Sequence, residues 1–264
     1  MIVLFVAAAV AAILLGLVLG RSVRRQNRNG PVDGAGREWI NVEDLTGPAI
    51  TLAALLLAFM MVQTYSSYQR AEQHAATEAA TVLAEHEAAR FLTEPDRTTV
   101  RTDLVCYARA VAEREWPAMA DGRSDPLAEH WEERLRSALV AAADHDQGRL
   151  GVSGLVDLEV DRTTSRRERI AEVEPAVPGA LGWMVELTAL TILVLLCVFT
   201  WHLRPLVRVI LVGAVVTLVL MVVVGVRELD TPFSGYVALQ PTAMRSTLTE
   251  VAGTSAAGGA ALPC

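Results

Sequence analysis

Four apolar blocks divide the chain, and between the second and third the pattern changes from continuous hydrophobicity to helical periodicity. Ile2 to Leu19 is uncharged over 18 residues, which at 1.5 Å per residue spans about 27 Å, enough for a thin bilayer core. The second block (LTGPAITLAALLLAFMMV) runs from Leu45 to Val62, the third from Leu181 to Trp201 and the fourth from Leu206 to Val226. None shows the polar alternation of a barrel strand, and a helix is the only open-ended element that satisfies its own backbone inside lipid. The expected class is all-α, with four transmembrane helices at 1–20, 45–64, 181–203 and 206–226 and an extramembrane helical bundle, 65–180, inserted between the second and third. A short basic loop covers 21–44, and 227–264 reads as an interfacial turn and flexible tail. The first block reads as a retained anchor and not a cleaved signal, because no basic segment precedes it and Arg21, Arg24, Arg25 and Arg28 follow it.

Within the insert, Ala75, Ala79, Val82 and Ala89 form one apolar stripe on a helix that continues the second span. Thr93 and Pro95 read as the cap and first turn of the next helix, which carries Val100, Leu104, Ala108 and Val111 towards Trp116-Pro117. Asp125-Pro126 restarts the pattern, with Leu127, Trp131, Leu135 and Leu139 on one face, and a further helix covers Val152 to Glu174. Short connections between four amphipathic helices predict an antiparallel bundle.

Composition adds sidedness. The chain has 264 residues, net charge −7, and no lysine, so all 23 basic residues are arginine. From Ser66 to Ala180 there are 14 Arg against 22 Asp and Glu, a solvated and acidic segment. Five Arg in 21–45, with Arg204 and Arg208 after the third span, mark those connections as cytoplasmic. The termini and the bundle then fall outside, with Arg162, Arg166, Arg167 and Arg169 near the third span as contrary evidence. Nucleic acid is not an expected partner for so acidic a chain.

Candidate chemistry is sparse. Cys106, Cys197 and Cys264 have no CxxC spacing, so no metal site or cofactor is expected; Cys106 and Cys264 would share the oxidising side and are able to pair. No HExxH, GxSxG, P-loop or GxGxxG element supports an enzyme, and no catalytic residues are assigned. His74, Glu78 and Glu85 lie within about 40° on a helical wheel. They read as an exposed face of i,i+4 charge pairs, with a metal or proton site as the alternative. Glu186, the one acid inside a span, either faces the interior, a pore or an Arg partner, or snorkels to the headgroups.

The run Glu228 to Gly235 (ELDTPFSG) with Gln240-Pro241, the EWPAM run at Glu115 to Met119 with Tyr107 before and Gly122 after it, and the order of spans resemble the bacterial DUF4239 or bestrophin-like family of integral membrane proteins. Tyr68, Glu78, Arg166-Arg167, Pro178 and Trp183 fit the same pattern, whereas Ser67, Ala80 and Thr231 depart from it. The resemblance covers residues 45 to 250 and implies a multi-pass plasma-membrane protein, an oligomeric channel or transport protein for an inorganic anion, with the bilayer and further copies of itself as partners. A non-conducting scaffold or sensor whose bundle binds a partner is the alternative. Asp230, Pro232, Phe233 and Gly235 are expected to form an interfacial turn, with Phe233 at the headgroups and Asp230 on one of Arg162, Arg166, Arg167 or Arg169; Glu78, Glu186, Arg166 and Arg167 complete the candidate set.

Overall fold

The computed structural model describes residues 42–145, 150–200, 204–257 and 262–264. The first span and most of the basic loop lie outside the described residues. Those described are helical, with no strand among them. In chain order the helices are α1 Val42–Ala88, α2 Asp96–Ala110, α3 Trp116–Ala120, α4 Pro126–His145, α5 Leu150–Ala171, α6 Gly179–Phe199, α7 Pro205–Asp230 and α8 Thr242–Ala257. A 3₁₀ turn, Ala89–Phe91, follows α1, and a π-helical turn, Val111–Glu115, joins α2 to α3.

Helix α1 has 47 residues, about 70 Å at the α-helical rise and more than twice a ~30 Å bilayer core. Its apolar run ends near Val62, and the half from Ser66 onward is charged and polar. Pro48 lies inside the helix, beyond its first turn, where it removes one backbone hydrogen bond.

Contacts divide the chain into two units. The first holds the described residues up to Tyr65 together with Val177–Arg227. Ala53 and Leu57 pack with Ile192, Met60 with Val177 and Val226, and Ala189 with Val219 and Val223. Helices α1, α6 and α7 are long and apolar enough to cross a membrane, yet only 28%, 22% and 17% of their most apolar windows is buried within the chain. Glu186 pairs with Arg227, so of the environments open to it from the sequence it takes the Arg partner.

The second unit holds Ser66–Ala176 and Glu228–Cys264. Val82, Leu104, Tyr107, Val111, Leu135 and Leu155 are wholly buried in its core. Asp125 Oδ1 accepts from Leu127 N at 2.8 Å and starts α4 as expected, and at the start of α2 Glu94 accepts from the Thr98 N–H at 3.2 Å. The tail departs from expectation. Instead of being flexible, Thr242–Ala257 forms α8, with Met244 and Val251 buried and Thr247 Oγ1 donating to the Ala79 carbonyl at 3.1 Å. Its apolar positions are too few to stand out beside the spans. Cys264, the last residue, is disulfide-bonded to Cys106 of α2, and Arg109 Nη1 donates to its carbonyl at 2.7 Å.

Candidate functional site: a buried chain of charges

The second unit is distinguished by what it buries. On α5, Arg162, Arg166 and Arg169 follow i, i+4, i+7 spacing and so lie on one face; Arg162 and Arg169 are fully buried and Arg166 is 5% exposed. On α1, Glu78 and Glu85 are one heptad apart and both fully buried. The α1 stripe between and around them is made of Ala and Val, whose short side chains leave room for long guanidinium arms.

Each arginine bridges two carboxylates. Arg169 donates from Nε to Glu78 at 2.5 Å and from Nη2 to Glu115 at 2.6 Å. Arg166 donates from Nη2 to Glu115 at 2.5 Å and from Nη1 to Glu132 of α4. Arg162 donates from Nε to Glu85 at 3.0 Å and from Nη2 to Glu159. Half-buried Arg136 of α4 closes the series, donating to Glu132 at 3.2 Å with its Nε 4.0 Å from Glu159. The order Glu78, Arg169, Glu115, Arg166, Glu132, Arg136, Glu159, Arg162, Glu85 alternates in sign throughout.

Aromatic rings line this chain. Tyr107 donates its hydroxyl to Glu78 at 2.6 Å, and its ring lies 4.4 Å from the Arg162 guanidinium. Arg169 is 5.4 Å from the Trp116 ring, Trp116 Nε1 donates to the Leu239 carbonyl at 2.8 Å, and Phe233 meets Trp116 edge-on at 5.6 Å. Tyr107, Val111, Glu115 and Met119 are all buried at steps of four residues, and three such steps would drift about 120° on an ideal α-helix. The π turn absorbs this by inserting about one extra residue, roughly 100° of phase.

The electrostatics follow from burial and pairing. Glu115 is pushed up by burial, but Arg169 and Arg166 outweigh that and hold it below the usual carboxylate range. Burial pushes Glu85 up, against the pull of Arg162 and with a further push from Glu159, to about 7. Burial also raises Glu159, with Arg162 opposing. Among the described residues no group of three or more His, Cys, Asp or Glu is placed to hold a metal ion.

The model of the bestrophin-like domain matches residues 41–244. The chain belongs to the bestrophin-like family. Its fold is similar to crystal structures of a bacterial bestrophin homologue from Klebsiella pneumoniae. The form phased on zinc gives a TM-score of 0.71 at 13% identity, covering 97% of this chain and 99% of that one. Two point variants of that homologue give 0.70, at 14% identity with 96% and 99% covered and at 15% with 95% and 98% covered. No curated protein matches the chain.

The motifs that suggested the bestrophin-like family converge in the charge chain. Glu115, Trp116 and Met119 of EWPAM, Tyr107, Glu78, Arg166 and Phe233 meet around Arg169 or its direct contacts. Two expectations change. Glu78 and Glu85 belong to the buried interior and not to an exposed face, while their wheel neighbour His74 pairs with Glu168 at 2.9 Å. Phe233 is 5% exposed in the bundle core instead of at headgroups, because its ring completes the face of Trp116. Arg162, Arg166 and Arg169 are held by glutamates, and Arg167 points to the exposed side of α5. Pro232 and Gly235 do shape the turn: Leu239 N donates to the Pro232 carbonyl at 2.8 Å, Gly235 has φ +89°, and Glu228 Oε2 accepts from Tyr236 N at 2.7 Å. Glu186 lies in the membrane unit. Glu85, Glu132, Glu159, Arg162 and Arg169 were absent from the sequence-derived site set. Their signal was the heptad spacing of acids on α1 facing an i, i+4, i+7 arginine stripe on α5.

Proposed function

We propose that this bestrophin-like protein works as an oligomeric anion channel or anion transport protein, with the conducting path in the membrane unit along α1 and α6. Family membership across residues 41–244 carries the reading. It is supported by the low burial of α1, α6 and α7 within one chain, which leaves most of their apolar surface for lipid and for further copies. The purified protein in liposomes should pass chloride or another small anion faster than protein-free liposomes. Absence of flux above that background, across several anions and pH values, overturns the proposal.

The bundle and tail are assigned to the extracytoplasmic side. Disulfides persist in oxidising compartments, which fits the Cys106–Cys264 bond, and the basic 21–45 and 202–208 connections fit the cytoplasmic face. A cysteine introduced at Ser124 should react with a membrane-impermeant maleimide on intact cells. Reaction only after lysis reverses the assignment.

A further inference from the structure

The charge chain begins and ends on a carboxylate. Its five glutamates face four arginines, of which Arg136 is shared with exposed Glu133 at 2.8 Å, so with every acid ionised the buried series carries an excess of negative charge. A proton relieves the excess, and the hydrogen bonds say where it sits. Glu78, at one end, accepts from Arg169 twice and from the Tyr107 hydroxyl. Glu115 lies between two guanidiniums, and so does Glu132. Glu85, at the other end, has a single donor, Arg162 Nε, on Oε2. Its Oε1 is buried without a hydrogen-bond donor, as is Oε1 of Glu159, and Nη1 of the Arg162 between them is buried without an acceptor. The two carboxyls flank the same guanidinium, that of Arg162. Two carboxyls so placed away from water do not both ionise, and one proton between them satisfies both.

We propose that Glu85 and Glu159 form a proton-binding pair, and that the proton they share holds α1 against α5, making the packing of the bundle dependent on pH. The pair is faced from α5 by Arg162, from α2 by the Tyr107 ring beneath Arg162, and from α4 by Arg136 and Glu132, which reach Glu159 and its neighbour Arg166. Next to Glu85 on α1, His86 turns instead to Arg101 at 3.2 Å and to Ser255 of α8 at 3.2 Å. Folded Glu85 holds its proton up to about pH 7, whereas an ordinary glutamate releases it near 4.5. Its contribution to stability is therefore present below about pH 4.5 and is lost as pH rises towards 7. His86 works in the opposite sense: burial, then Arg101, lowers it to about 4 from 6.5, so its contribution grows with pH over nearly the same window. The two effects oppose each other in the native protein.

The test is a comparison of full-length protein and the E85Q variant in detergent, with the melting midpoint followed by tryptophan fluorescence between about pH 4.5 and 8. E85Q carries the neutral side chain permanently and retains His86. Its midpoint should match the native protein near pH 4.5, rise above it progressively up to about pH 7, and keep a constant lead beyond. A pH-independent difference between the two overturns the proposal. E159Q removes the partner and should show the same divergence, which keeps the test decisive where E85Q does not fold. A carboxylic-acid C=O infrared band present at pH 6 in the native protein and missing from the variant supports the pair; an unchanged band overturns it. No readout depends on ion conduction, so failure here is distinct from failure of the channel proposal.

Discussion

Replacing Arg169 by methionine removes the best-connected link of the charge chain while roughly conserving its volume. In the native bundle the fully buried guanidinium donates twice to Glu78 and once to Glu115, and it rests beside the Trp116 ring. Without it, Glu78 keeps only the Tyr107 hydroxyl and Glu115 only Arg166. Three arginines would then face five glutamates. Breaking a buried pair by deleting one partner costs about 3–5 kcal/mol, since the other charge stays desolvated. For a unit of this size each kcal/mol moves the midpoint by about 2–4 °C, so R169M should melt roughly 6–20 °C lower. Adding E78Q removes the stranded charge, so R169M/E78Q should recover at least about 1 kcal/mol relative to the sum of the single variants. Tryptophan fluorescence on the purified protein reads both. A loss below about 0.5 kcal/mol for R169M, as for a surface residue, or strict additivity in the cycle, refutes the drawn connections.

Three further outcomes follow from the same contacts. Phe233→Ala empties the space against Trp116 and should cost about 3–5 kcal/mol, read as a lower midpoint; a neutral result would return Phe233 to the surface. His86→Asn removes the stabilisation that grows with pH, so between about pH 4.5 and 7 the midpoint of this variant should fall relative to that of the native protein. Cys264→Ser opens the link to Cys106 and should lower stability by about 2–4 kcal/mol; reductant should bring the native protein to the same midpoint and leave the variant unmoved.

The parts of this molecule that follow one rule were legible in its sequence. Continuous apolar runs identified α1, α6 and α7 because lipid selects for hydrophobicity alone, and Asp125-Pro126 announced α4 because a cap and a fixed φ are local properties. The charge chain was not legible, because its meaning depends on which faces meet. Glu78, Glu85 and His74 share a wheel position, and nothing local distinguishes a solvated acid from one that a distant arginine will cover. Arg162, Arg166 and Arg169 likewise read as a cluster beside a span until α5 is laid against α1. Phe233 and α8 were misjudged for the same reason, since their partners, Trp116 and Ala79, lie far back in the chain.

Ion pairs in a dry interior stabilise little relative to apolar residues of similar volume, so the chain of charges is better understood through what it forbids. The α1 stripe of Ala75, Ala79 and Val82 is small and smooth, and offers little resistance to sliding along a partner helix. Arg162, Arg166 and Arg169 do resist, because each needs two particular carboxylates drawn from α1, the π turn, α4 or α5 itself. A shift of one turn, about 5.4 Å, would strand buried charges at several kcal/mol apiece. Register is thus set by electrostatics where packing is permissive, and Glu78, Tyr107, Glu115 and Arg166, far apart in sequence, are pieces of that one lock. Because the lock holds five acids and four arginines, it closes with a proton, and a device that fixes register becomes one that can respond to pH.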